Sequence, residues 1–410
     1  MFTITKKLLM VSIIFLVLLV LLGFLVLLGA VQGRDNPSPS DIAVDLHKYS
    51  LVRWELEHFS DKWIHKFNDI LPWNSEPPRE VRIAQAQEFF ELKAQLRNLG
   101  RDTDSDRSEQ ISALEQRRWA MQADVEETME SEISSILTQE GFASRIGVIF
   151  PPVDVVYADS PTALIISPRN NISQLESTLL KPGLSNKVRD DLEEIIFRED
   201  DVSALVVNTG GVATYPSVVS DSMSLHDALV ITAHEWLHHW FFFQPLGQHF
   251  WDNGDMVTLN ETAATIGGQL IGDRAFTAMT GEEVIRKASA SVSGVDPDSF
   301  DFNAEMRETR LNTEEMLSNG HIVEAETYME GRRQFMEDNG HFIRKLNQAF
   351  FAFYGSYATG VGSVSPIGDQ LERLRLESDS IEEFVKTVGG FKRVSDLEEH
   401  LGRSLSLSLP

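Results

Sequence analysis

The chain has 410 residues with 62 acidic against 36 basic side chains, a formal net charge of −26 and a sequence pI near 4.8. It contains no cysteine, which excludes thiol nucleophiles, iron–sulfur clusters, cysteine zinc fingers and a disulfide-stapled scaffold. So acidic a balance argues against nucleic-acid binding, because phosphates are repelled rather than neutralised. The 42% hydrophobic content suffices for packed cores in two or three units.

Residues 8–33 are uncharged and mostly Leu, Val, Ile and Phe. As a helix, that run is long enough for a hydrocarbon core of about 30 Å. Lys6 and Lys7 precede it, while Arg34 is offset at once by Asp35. The positive-inside bias therefore predicts a cytoplasmic N-terminus and single transmembrane anchor over 1–33, with the body extracytoplasmic. The competing reading is a cleaved signal peptide, whose apolar centre normally runs only about 7–15 residues. A polar linker, 34–44, contains Pro37 and Pro39.

A helical region is predicted for 45–141. Val52, Leu56, Phe59, Trp63, Phe67 and Ile70 recur at three- and four-residue steps up to Pro72. Pro77-Pro78 opens a second helix bearing Ile83, Ala86, Phe89, Phe90 and Leu96, and a third runs from Ile111 to Ile136. Across 142–222 the texture becomes α/β. Residues 146–150, 153–157, 163–166 and 203–208 read as strands, whereas 172–179 and 186–197 read as helices. Gly210-Gly211 to Pro216-Ser217 reads as a loop or an edge strand, since a proline within a sheet is confined to edges and bulges.

The segment 223–275 carries the chemistry. Ser224-Leu225-His226-Asp227 resembles a capping box and opens a helix through Trp240 containing His234-Glu235-Trp236-Leu237-His238. Four residues apart, the two histidines lie about 40° from each other on one helix face, so both imidazoles reach one metal ion. Glu235 is offset by about 100° and addresses a water rather than the ion. A second helix, Thr258 to Leu270, opens with Asn260-Glu261-Thr262-Ala263-Ala264 and supplies a carboxylate as third ligand. The bland alternative is a core helix with incidental histidines.

His234-Glu235-Trp236-Leu237-His238 followed by Asn260-Glu261-Thr262-Ala263-Ala264 resembles the gluzincin metallopeptidases, the thermolysin and aminopeptidase-N type. The resemblance covers roughly residues 200–270. It implies Zn2+ held by His234, His238 and Glu261, Glu235 as general base, and an upstream edge strand for substrate backbone at 210–217. It also implies a downstream oxyanion donor, for which His321, Tyr328, His341, Tyr354 and Tyr357 compete; Tyr357, on the loop after an apolar helix ending at Gly355, is the choice. The chain departs from the pattern in two ways. The gap between His238 and Glu261 is slightly long, and Thr265 stands where thermolysin-like enzymes carry an Asp orienting the first histidine, leaving Asp227 and Asp255 as other candidates. Phe241 and Gln244 exclude the metzincin extension, and His239 and His249 read as packing or surface histidines.

Residues 276–402 read as a helical C-terminal lobe, with helices at 303–318, 322–338, 381–388 and 394–401 and a frayed tail over 403–410. The expected fold is α+β and mostly helical: a zincin-like small mixed sheet packed on the HExxH helix between helical N- and C-terminal regions, with one transmembrane helix. The expected function is a membrane-anchored zinc metallopeptidase acting on a peptide or protein substrate. The alternatives are a non-catalytic anchored zincin-like or helical scaffold, and a zinc hydrolase of non-peptide amides or esters.

Overall fold

The computed structural model describes residues 38–51, 54, 77–100, 108–285 and 300–407. The apolar run 8–33 lies outside the described residues, as does most of the helix expected over 52–70. Among the described residues no helix is long and apolar enough to cross a membrane.

The chain opens with α1, Pro39–His47, where Ser38 and Asp41 form a reciprocal capping box and Pro39 occupies the first turn. Two long helices follow, α2 (Arg79–Gly100) and α3 (Ser108–Gln139). The sheet region comprises β1 (Val155–Ala158), β2 (Thr162–Pro168), β3 (Glu176–Leu180), α4 (Asn186–Asp200), β4 (Val202–Asn208), β5 (Gly211–Val212) and β6 (Ser217–Ser220). Then come α5 (Leu225–Phe242), the single turn α6 (Pro245–Gln248) and α7 (Gly254–Thr280). The C-terminal part is α8 (Phe302–Ser318), α9 (Ile322–Asp338), α10 (Gln348–Tyr354), α11 (Ile367–Glu377), α12 (Ile381–Gly389) and α13 (Val394–Leu407). The fold is α+β and mostly helical.

The strands form two three-stranded sheets. One has the antiparallel order β3-β2-β4; the other has the order β1-β6-β5, with β1 parallel and β5 antiparallel to β6. The main core crosses the sequence-based boundaries. Phe89, Met129, Val155, Trp236, Leu259, Leu371, Phe384 and Leu397 belong to one buried cluster, so α2 and α3 pack into the same core as α5, α7 and α11–α13. The first sheet buries one face against α8, α9 and α10, through residues such as Ile165, Met306, Met336 and Phe351, and the other against α4.

Four local expectations are corrected. The expected linker 34–44 is helical from Pro39, because Ser38 and Asp41 cap α1 there. Residues 172–179 are not helical: Leu175 donates to Ile166 and the following residues pair with β2 from Glu176 to Leu180. Pairing to a buried neighbour outweighs the local preference of an uncapped segment. The apolar run 146–150 is not a strand, because Gly147 takes φ 78° and turns the chain, with Ser144 donating to Val148 and Gly147 to Ser144. The last helix continues to Leu407 instead of fraying at 403. Unforeseen were α11 and β6, whose four residues are all buried in the middle of the second sheet.

Candidate metal centre

Helix α5 is apolar nearly all round and is sunk in the core, with Ala228, Leu229, Ala233, Trp236 and Leu237 buried. Ser224 caps its start by accepting from Asp227 N at 3.1 Å. It is seated on β1 by the Tyr157 hydroxyl, 2.8 Å from the Thr232 hydroxyl, and on the 150–152 turn by Trp236 Nε1, which donates to Pro151 O at 2.8 Å. Within this packed helix His234 and Glu235 are buried too, at 8% and 6% exposure. Ionisable groups in such surroundings cost free energy unless paired, so their presence points to function rather than packing.

The third group comes from α7, which crosses α5 at unusually close range. A Cβ on Gly268 would stand 2.9–3.0 Å from the backbone and Cβ of His234, and one on Gly272 only 2.6–2.7 Å from Val230. Glu261, Gly268 and Gly272 are spaced by seven and four residues, so they share one stripe of α7. The glycines remove the side chains that would hold the helices apart, and Glu261 is thereby delivered to the histidine pair.

The three donor atoms form a small triangle. His234 Nε2 and His238 Nε2 are 3.0 Å apart, and Glu261 Oε2 lies 3.6 Å and 3.5 Å from them respectively. Donors bound at about 2.0–2.1 Å to one tetrahedral ion stand roughly 3.3–3.4 Å apart, so the set fits a single zinc-sized cation. Among the described residues it is the one His/Asp/Glu group gathered closely enough to hold a metal. Asn260 orients one of the imidazoles: its Oδ1 only accepts, so the 3.0 Å contact places a proton on His238 Nδ1 and turns Nε2 toward the triangle. Thr265, the expected orienting residue, is not the one that meets a ligand imidazole here. Asp227 and Asp255 are exposed first-turn residues of α5 and α7, and Asp227 serves the Ser224 cap. Asn260, the residue just before Glu261, meets the second histidine, His238.

The electrostatics follow from burial and crowding. Burial raises the Glu235 carboxyl above its ordinary range, and Glu261 adds to the rise while the two histidines oppose it. Burial also disfavours the Glu261 carboxylate, yet the facing imidazoles, His238 foremost and His234 with it, hold it well below the usual range. His238 is opposed by burial but lifted to about 9 by Glu261. The centre holds one firmly ionised carboxylate and, beside it, a second carboxyl for which a proton is readily taken up.

The cleft over this triangle has a volume of about 370 Å³ and is lined by His234, Glu235, His238, Glu261 and Tyr357. Tyr357 is half-buried and faces Glu261; burial, then the Glu261 and Glu235 charges, push its phenol well above the ordinary tyrosine range. One wall is the edge strand β5. Ser220 N donates to Gly210 O, which makes 210/220 and, at a period of two, 212/218 the hydrogen-bonded pairs. The N–H and C=O of Gly211 therefore point away from β6. A Cβ there would meet Glu235 Oε1 at 2.5 Å, so only glycine lets the strand lie against that carboxyl. Phe242, Phe250, Trp251 and Phe353 give the rest of the cleft an aromatic lining.

No family model, curated protein or solved structure matches the chain. Its chemistry has to be read from the centre itself.

The other sequence candidates lie elsewhere. Tyr354 packs on Phe350 and Phe353, Tyr328 accepts from Asn312, His341 stacks on Phe300 and Phe302, and His321 precedes α9 at the surface. His239 packs on Tyr215, and His249 pairs with Asp252 at the surface. A larger hollow between α2, α3 and β1 is lined by charged groups already engaged: Asp221 meets Arg118 and Lys93, and Glu126 and Glu130 also have partners. It carries no comparable cluster. Sequence reasoning missed Asn260 as an orienting group and the Gly268-x-x-x-Gly272 spacing, which was visible as a close-approach signal in a helix continuing past Leu270.

Proposed function

We propose that this chain is a zinc metallopeptidase of the gluzincin kind. The reading rests on one observation, the triangle of His234, His238 and Glu261 with Glu235 buried beside it on the edge of β5. Bound there, zinc supplies Lewis acidity toward a peptide carbonyl and acidifies a water molecule.

The chain's own residues do the rest. The outward N–H and C=O of Gly211 bind the backbone of an extended peptide as an added strand, which lays the scissile bond across the triangle. Glu235 takes the proton of the attacking water and returns it to the leaving amine; its buried, raised carboxyl is suited to both transfers. The Tyr357 hydroxyl donates to the carbonyl oxygen as negative charge grows on it. Asn260 keeps His238 in the tautomer that presents Nε2. The apolar segment 8–33 tethers the body to a membrane on the extracytoplasmic side.

The test uses the purified chain with Glu235→Gln and His238→Ala variants. The wild type should bind about one zinc and cleave members of a panel of free peptides, N-blocked peptides and intact proteins. Glu235→Gln should keep the zinc and lose cleavage, whereas His238→Ala should lose both. A protein that takes up no zinc, or a Glu235→Gln variant with unchanged turnover, ends the reading. Hydrolysis of esters without any peptide cleavage reassigns the substrate.

A further inference from the structure

Tyr357 lies on an irregular segment after α10, nearly a hundred residues from Glu261 in sequence. Ala358 packs on the core that α7 shares, and one side-chain hydrogen bond ties the segment directly to that helix. Thr262, fully buried and next to Glu261, accepts a hydrogen bond through its Oγ1 from the N–H of Ala358, next to Tyr357, at 2.9 Å. The segment is closed on its other sides by backbone. Gly360 N donates to Tyr357 O at 2.7 Å, and a Cβ on Gly368 would meet Ala358 O at 2.7 Å, so Ala358 is wedged between α7 and the start of α11. Further along, Arg307 donates to Ser363 O and Arg310 to Gly362 O, tying the far end to α8.

We infer that Thr262 is the positioning residue that holds Tyr357 over the metal triangle. Three facts carry this. The hydroxyl of Thr262 has no water to turn to at 0% exposure, so its bond to Ala358 is the partner that its burial requires. The bond joins the immediate neighbours of the two residues whose separation matters, Glu261 and Tyr357, and so sets that separation with little slack. The metal ligands do not depend on it, because Glu261 is delivered to the histidines by the glycine stripe of α7. Thr262 therefore governs the oxyanion donor and not the metal set, and its loss is felt where charge develops in the reaction and not in the binding of ground-state substrate.

This inference rests on the metallopeptidase reading, and the two fail in distinguishable ways. Thr262→Val keeps the shape of the side chain and removes the acceptor. Its kcat should fall about 10-fold with KM changed less than about twofold, and its zinc content should stay at the wild-type level. Thr262→Ser, which restores the acceptor, should recover most of the loss. In a Tyr357→Phe background Thr262→Val should cost little more, since the group it positions is gone. Amide exchange read by mass spectrometry should quicken in the peptide spanning 355–361 without quickening in α5, a readout independent of turnover. Wild-type kcat in Thr262→Val, or a full further loss on top of Tyr357→Phe, overturns the inference. If Thr262→Val proves too unstable for kinetics, Thr262→Ala replaces it, and wild-type kcat with unchanged exchange at 355–361 in that variant overturns the inference as well. A wild type that cleaves no peptide condemns the functional reading, whereas exchange at 355–361 still decides whether Thr262 holds the segment.

Discussion

Replacing Gly268 by Ala sets two physical effects against each other at the metal centre. Helix propensity alone favours Ala over Gly by about 0.5–1 kcal/mol. In α7, however, the new methyl would sit 2.9–3.0 Å from His234 N, Cα and Cβ, atoms of a buried helix that cannot swing aside. Carbon contacts relax only at about 3.5 Å, so α5 and α7 must part by roughly 0.5–0.6 Å. Overpacking of this kind costs about 1–3 kcal/mol, which exceeds the propensity gain and leaves a net destabilisation. The same displacement stretches the Glu261 contacts, now 3.5 and 3.6 Å, to about 4.1 Å. That is beyond the roughly 3.3–3.4 Å edge of a tetrahedral site and outside the tolerance of about 0.2 Å in ligand distances. Gly268→Ala should lower the melting temperature and weaken zinc affinity on the order of 10- to 100-fold. Gly331→Ala is the control: it lies in the interior of α9 with nothing within 4 Å of its new methyl, and should raise the melting temperature without touching zinc. Thermal melts with and without zinc, together with competition against a chromophoric chelator, read both effects. A Gly268→Ala protein that gains stability as Gly331→Ala does and keeps wild-type zinc affinity would refute the close-packing argument.

Other consequences can be measured separately. Asn260→Ala should weaken zinc binding by about 10-fold or more, because His238 loses the acceptor that fixes its tautomer; an unchanged chelator titration would show that Asn260 does not orient it. Tyr357→Phe should lower kcat on the order of 100-fold while zinc content and KM hold, and a variant affected only in KM would remove Tyr357 from the oxyanion role. Burial raises the Tyr157 phenol far above the ordinary tyrosine range. Its contribution to stability is therefore complete below about pH 10, the unfolded value, and is lost as pH climbs above it. Wild-type melting temperature should fall more steeply between about pH 10 and 11 than that of Tyr157→Phe, and parallel curves would contradict the assignment.

Local pattern carried much of this molecule. The capped apolar helix α5, its two histidines one turn apart and the intervening Glu235 were all legible, because helix periodicity and capping act over a few residues and leave their mark in the spacing. So were α2 and α3, whose faces repeat at three and four residues, and α8 and α9, which Asn-Gly turns delimit. Residues 172–179 were misread for the opposite reason: their strand state is decided by pairing with β2, a partner that the segment itself does not reveal. The turn at 146–150 likewise depends on one glycine at positive φ within an otherwise strand-like run.

By itself the sequence determined which chemistry is available. A chain without cysteine that carries His234, Glu235, His238 and Glu261 on two helices offers imidazoles and carboxylates as donors and no thiolate. Only the tertiary structure decided whether these groups meet. Glu261 reaches the histidines because Gly268 and Gly272 let two helices approach to backbone contact, and Tyr357 reaches Glu261 because Thr262 grips the neighbouring amide. The physical reason is range: hydrophobic periodicity and caps are written into neighbouring residues, whereas the distance between two packed helices is fixed by whichever side chains are missing between them.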